Sequence, residues 1–190
     1  MTNNPPSVDI LLVTFNHGKY IEQALESIKF QDYAGSIRLV VADDCSTDGT
    51  LQKIRKFAAS NVKIQCVILP GQRNVGITAN YKRGFAACEA DYVAVLEGDD
   101  YWSSTRKLSK QIAFLQEHRG YTACGSNFFI VDDENVRHRL RIDRTEGYLV
   151  VTPSVLISDN LIGNFSTCVY RRLALRKLPD RLFEMKSYDW

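Results

Sequence analysis

Four apolar runs of strand length, at residues 8–15, 37–42, 62–69 and 91–96, alternate with stretches at 19–30, 50–59, 77–88 and 105–117 where apolar residues recur at helical spacing. In the first such stretch Tyr20, Ile21, Ala24, Leu25 and Ile28 share a face, and in the second Leu51, Ile54, Phe57 and Ala58 do. Strand and helix alternating with short connections implies crossovers, so the strands lie parallel and right-handed crossovers put helices on both faces of the sheet. The first run, VDILLVTF, is continuous rather than alternating, as suits a central strand covered on both sides. The fold class this predicts is α/β with a mostly parallel central sheet.

In such sheets ligands sit beyond the carboxyl ends of the strands, at the switch in strand order. Here the loops loaded with polar chemistry, at residues 14–17, 43–48, 73–76 and 97–100, each follow a predicted strand and converge on one rim. The last is the most telling. Its strand ends in Glu-Gly-Asp-Asp, and three acids within four residues repel one another unless a cation sits among them. A divalent cation carrying nucleotide phosphates fits that need, with a solvated turn as the alternative. Ser46 and Thr47 suit the N-cap of the second helix, and Asp48 lies near its positive end. Loop geometry accounts for Gly76 and is the alternative to a ligand role for Asn74.

Beyond residue 105 the texture is mixed. After the helix at 105–117 come a strand at 121–131, a turn at 132–135, a return strand at 137–144, a helix at 152–161, a strand at 166–171 and a short helix at 172–178. Arg137, His138, Arg139, Arg141 and Arg144 read as the solvated face of a hairpin, with a grip on an anionic acceptor or membrane surface as the other reading. The chain stops at Tyr188-Asp189-Trp190 without a change in composition, as a piece of a longer protein would.

Length and composition narrow the class. A chain of 190 residues with 45% hydrophobic and 24% charged content forms one domain, 1–190, with a core that needs no staples. A net charge of +2 gives no reason to expect nucleic acid as partner. Five widely spaced cysteines, with no Cys-x-x-Cys, favour free buried thiols in a reducing compartment. His17, His118 and His138 are scattered and suggest no metal cluster. No signal peptide or membrane-length run is present, so the expected setting is cytoplasmic, with room for association at the inner face of the membrane and for a homodimer.

Three segments in order, VVADDCSTDGT at 40–50, RNVGITANYKRG at 73–84 and ADYVAVLEGDDYW at 90–102, with Val-Thr-Phe-Asn at 13–16 before them, resemble the family-2 inverting glycosyltransferases of GT-A fold. The resemblance covers about the first 110 residues, which makes 1–110 the nucleotide-binding half and 111–190 the acceptor half. It implies that Asp44 accepts a hydrogen bond from a uracil N–H, that Thr14, Phe15 and Asn16 line the nucleoside, and that Arg73 meets base or phosphate. The Asp-x-Asp motif maps to Glu97-Gly98-Asp99, with Glu97 on the ribose and Asp99 on the metal; Asp100 is the alternative ligand. Ser-Tyr-Asp-Trp at 187–190 resembles the segment carrying the catalytic base, which makes Asp189 that base.

The implied reaction moves a sugar from a nucleoside diphosphate, UDP foremost, to a hydroxyl of a glycan or lipid-linked acceptor in polysaccharide biosynthesis. Manganese or magnesium would neutralise the leaving diphosphate while a carboxylate takes the acceptor's proton and the anomeric carbon inverts. Two other readings compete: a module that binds nucleotide sugar without turnover, and a sugar-phosphate nucleotidyltransferase. The second wants a glycine-rich loop with a cation after the first strand, and Asn16-His17-Gly18-Lys19 is a poor version of one.

Overall fold

The computed structural model describes residues 4–132, 137–140, 147–158 and 161–184. Strands β1 (Val8–Thr14), β2 (Ile37–Asp43), β3 (Gln65–Ile68) and β4 (Tyr92–Glu97) alternate with helices α1 (Ile21–Lys29), α2 (Thr50–Ser60), α3 (Ile77–Ala87) and α4 (Lys107–Glu117). After them come β5 (Ala123–Gly125), β6 (Phe129–Val131), β7 (Arg137–Leu140), α5 (Pro153–Ser158), β8 (Cys168–Arg171) and α6 (Arg172–Leu175). The main sheet runs β3-β2-β1-β4-β8-β5. β1 to β4 are parallel, and β8 lies antiparallel between β4 and β5. The strand order reverses at β1, and β4 takes its other edge.

β1 is buried along its whole length, as its unbroken apolar run requires. Its odd and even residues feed two separate cores. Ile10 and Leu12 face a layer made by Ile21, Leu25 and Ile28 of α1, Ile54 of α2 and Leu108 and Ile112 of α4. Leu11 and Val13 face Tyr81 of α3 on the other side. Helices therefore cover both faces. The second layer is close-packed at Gly84, where a Cβ would stand 2.5 Å from Leu11 Cδ1. At the end of the sheet away from the loaded loops, buried Asp9 takes two hydrogen bonds from Arg38, at 2.8 and 2.7 Å, and the amides of Glu89 and Ala90. Those four donors hold its carboxyl below the usual range despite burial.

The first half follows the expected elements, apart from a β3 that starts later than residue 62 because Asn61 to Ile64 forms a turn. The strand expected over 121–131 is instead two strands in different sheets. β5 joins the main sheet, whereas β6 leaves it and pairs antiparallel with β7. Gly125, which ends β5, and Ser126 and Asn127 after it are turn formers that break the run. Of the expected return strand and late helix, β7 and α5 are seen, and residues 141–146 and 159–160 lie outside the described residues. The same holds for the side chains of β7. No helix among the described residues is long and apolar enough to cross a membrane.

Candidate active site

Register places the rim. Thr14, at the end of β1, lies level with Asp43 of β2, and the preceding Val13 lies level with Glu97 of β4. Backbone bonds then knit the loops past those ends: the Asp44 amide donates to Thr14 O at 2.9 Å, and the Gly98 amide to Val13 O at 2.9 Å. All four loaded loops thus meet on one edge, β3 contributing through its loop to α3.

Asp44 is buried, and its two carboxylate oxygens accept from the amides of Val75 and Gly76 at 2.8 and 2.9 Å. It therefore fixes the loop that carries Arg73 and opens α3, a role that sequence reading did not assign to it. Gly76 has φ +86, a positive value that a side chain would strain, and Asn74 Oδ1 accepts from its amide. Arg73 itself is exposed in this loop. Asn16, also at positive φ, accepts from the Thr47 amide at 2.8 Å, and its own amide donates to Ser46 Oγ at 2.8 Å. Phe15 beside it is 42% exposed, a large apolar ring left on the rim.

Ser46 and Thr47 do not cap α2. Its N-cap position is Gly49, and Ser46 Oγ donates instead to Asp43 Oδ1 at 2.5 Å. Asp48 does act at that helix start, accepting from the Thr50 amide while also taking the Gly18 amide at 2.7 Å.

Glu97, Asp99 and Asp100 each offer a carboxylate oxygen within 4.8 Å of the others. Their surroundings differ. Glu97 is largely enclosed, and burial pushes its carboxyl up to about 7; Asp100 and Asp99 add to this, and the Tyr81 hydroxyl, donating to it at 2.8 Å, works against it. Asp100 accepts from Asn164 Nδ2 at 2.9 Å. Asp99 is half exposed, with His17 Nδ1 3.7 Å from its Oδ1, too long for a hydrogen bond.

Two buried polar atoms here, Thr14 Oγ1 and His17 Nδ1, have no hydrogen-bond partner among the described residues. Both crowd Gly98, where a Cβ would come within 2.5 and 2.8 Å of them. Oxygen donors in a tight cluster beside unsatisfied polar atoms fit a hard divalent cation such as magnesium or manganese.

Several residues at this rim were not singled out from the sequence. The 3-10 turn Phe165–Thr167 that opens β8 reaches the acidic loop from the second half of the chain. Ser166 Oγ accepts from the Glu97 amide at 2.9 Å, and Ser166 O accepts from Trp102 Nε1 at 2.8 Å. Asn164 joins the same clamp. Because β8 is antiparallel, its beginning rather than its end lies at the rim, a direction no periodicity reveals. Lys107 is buried at the start of α4, donating to Gln111 Oε1 at 2.6 Å with its ammonium 4.7 Å from the Trp102 ring centroid. Burial pushes that ammonium down to about 8. Asp189, expected as catalytic base, lies outside the described residues.

The architecture is that of a GT-A glycosyltransferase. Staphylococcus aureus TarS residues 1–349, solved with UDP, superimposes with a TM-score of 0.74 at 24% identity, covering 96% of this chain and 52% of that one. A Pyrobaculum calidifontis mannosyltransferase, PcManGT, solved with GDP-Man and Mn2+, does so with a TM-score of 0.59 at 22% identity, covering 64% and 35%. These likenesses carry the fold alone. The glycosyl transferase family 2 model matches residues 9–178, and the chain belongs to that family.

Among relatives, an uncharacterised protein of Mycobacterium tuberculosis is 37% identical over 117 residues, 62% of this chain and 34% of its own length. EpsE of Bacillus subtilis is 32% identical over 135 residues, 71% and 48%. The poly(ribitol-phosphate) beta-N-acetylglucosaminyltransferase TarS of Staphylococcus aureus is 29% identical over 198 residues, 94% and 32%. The chain thus spans about a third to a half of the length of these curated relatives.

Proposed function

We propose that this chain is the nucleotide-binding and catalytic domain of a longer inverting glycosyltransferase that uses a UDP-sugar and a divalent cation, manganese or magnesium. The observation that carries the proposal is the convergence at one rim of Asp44, Phe15 and the Glu97-Asp99-Asp100 cluster from separate β/α units. Solved TarS complexes hold UDP and UDP-GlcNAc and the PcManGT complex holds GDP-Man with Mn2+, which supports a nucleotide-sugar donor and a metal.

The order of the loops along the sheet supports a division of roles. The base lies at the β2 and β3 loops, against Phe15 and within reach of Asp44 and Arg73, with Thr14 and Asn16 lining the nucleoside. Asp44 already takes two amide donors, and each carboxylate oxygen keeps a lone pair for a base N–H. Glu97 faces the ribose, Asp99 holds the metal, and Asp100, tethered by Asn164, is the second ligand. The cation supplies charge neutralisation for the departing diphosphate. Asp189 takes the proton of the attacking hydroxyl, so the anomeric centre inverts. Residues 1–110 form the donor half of the single domain 1–190, and 111–190 the acceptor half. TarS is named for transfer to a poly(ribitol-phosphate), which supports a glycan-type or lipid-linked acceptor in envelope polysaccharide synthesis.

The test is thermal stabilisation by a panel of nucleotide sugars with and without manganese, followed by assay of UDP release. Stabilisation by a UDP-sugar that needs manganese and is lost in Asp99→Ala is expected. Folded protein that no nucleotide sugar stabilises would overturn the proposal.

A further inference from the structure

Beside the acidic cluster, on the side away from Asp44, a cleft of about 270 Å³ runs between the 99–104 loop, α4 and the segment that follows β5. Asp99 and Asp100, Ser126 to Phe129, and Lys107 and Lys110 of α4 all line it. Its place follows from the sheet order: the nucleoside loops belong to β2 and β3, the acids to β4, and the cleft to β8 and β5. On the nucleotide-sugar reading, a donor laid along the rim with its base at the β2 and β3 loops would place its sugar here.

Lys107 is only 7% exposed, and among the described residues no carboxylate forms an ion pair with it. Its fixed partners are neutral. Gln111 Nε2 donates to the carbonyls of Cys124 and Thr167, at 2.7 and 2.9 Å, so the Gln111 oxygen is locked toward the ammonium. The Trp102 ring offers only its face. An ammonium has three donors, and one hydrogen bond leaves it short of partners in a site where an uncompensated charge is costly. Lys110, one turn further along α4 and exposed, adds a second positive charge to the same cleft.

We infer that Lys107 is a specificity-determining residue, whose buried ammonium, supported by Lys110, makes this cleft select a glycosyl or acceptor unit carrying an anionic group, a carboxylate or a phosphate. The inference rests on the nucleotide-sugar reading above and names the substrate class at that site. With a cation held by Asp99 and Asp100, the acids are neutralised and the two lysines set the sign of the cleft. A lysine that served only to brace Trp102 against Gln111 would leave the cleft indifferent to ligand charge.

The test is calorimetry on the full chain with manganese. In the donor arm UDP-glucuronate is compared with UDP-glucose; in the acceptor arm protein loaded with UDP is titrated with glycerol 3-phosphate or with glycerol. The anionic member binds at least about tenfold tighter in one arm, and that arm identifies the source of the charge. Lys107→Gln cuts the preference below about threefold, Lys107→Arg restores most of it, and Lys110→Gln removes a smaller share. Circular dichroism melts establish that each variant is folded. Absence of preference in both arms for the unsubstituted protein overturns the inference whether or not Lys107→Gln folds, and so does a preference that survives Lys107→Gln. If the unsubstituted protein fails to bind UDP at all, the nucleotide-sugar reading falls first and takes this inference with it.

Discussion

Ionising Glu97 carries a free-energy cost that ionising an exposed glutamate does not. Burial, with Asp100 and Asp99 close by, lifts its carboxyl from the ordinary 4.5 to about 7 against the pull of the Tyr81 hydroxyl. Between those values the folded chain keeps a proton that the unfolded chain has released. The stabilisation is complete below pH 4.5 and is lost as pH rises through about 7. In chelated, metal-free protein, Glu97→Gln stays neutral at every pH and so escapes this loss, leaving the variant about 1–3 kcal/mol more stable than the parent at pH 7.5, with the gap closing toward pH 5. Urea denaturation at the two pH values checks it; a gap that does not change with pH would contradict the assignment. Strain of this kind belongs at a ligand site, since a cation at the cluster would favour the ionised form.

Two elements hold the acidic loop in place, β1 beneath it and the 3-10 turn before β8 beside it. Gly98 lets the loop lie against β1. Gly98→Ala would drive a Cβ to 2.5 Å from Thr14 Oγ1 and 2.8 Å from His17 Nδ1, at a loop held by the Gly98 amide bond to Val13 O. The expected outcome is a folded protein whose manganese-dependent UDP affinity falls at least about tenfold, measured by calorimetry against the parent. From the other side, Ser166→Ala leaves the Glu97 amide without its acceptor, at a cost of about 1–3 kcal/mol in chemical denaturation. Sequence reading could not find this clamp. A short strand after an irregular stretch carries no mark of its direction, so Asn164 and Ser166 could not be placed at the rim. The misread strand over 121–131 is different, because Gly125-Ser126-Asn127 was a visible break overridden by the β-prone residues around it.

For the molecule as a whole, the legible part was the part that periodicity encodes. Continuous apolar runs and amphipathic helices fixed four parallel strands, both helix layers and one loaded rim, because each depends on residues close in sequence. Contacts between distant residues were not encoded in that way. His17 looked isolated until register brought β1 beside β4, and Lys107 was not singled out at all, because its burial depends on the turn before β8 closing over Gln111. The central claim is that the β2 loop and the β4 loop serve one ligand. Calorimetric titration of UDP into Asp44→Ala, Asp99→Ala and the parent, each with and without manganese, tests it most directly. The account predicts one UDP per chain, weakened by Asp44→Ala whether or not manganese is present, while Asp99→Ala abolishes only the gain that manganese brings. A manganese gain that survives Asp99→Ala, or UDP binding indifferent to Asp44→Ala in folded protein, would contradict it.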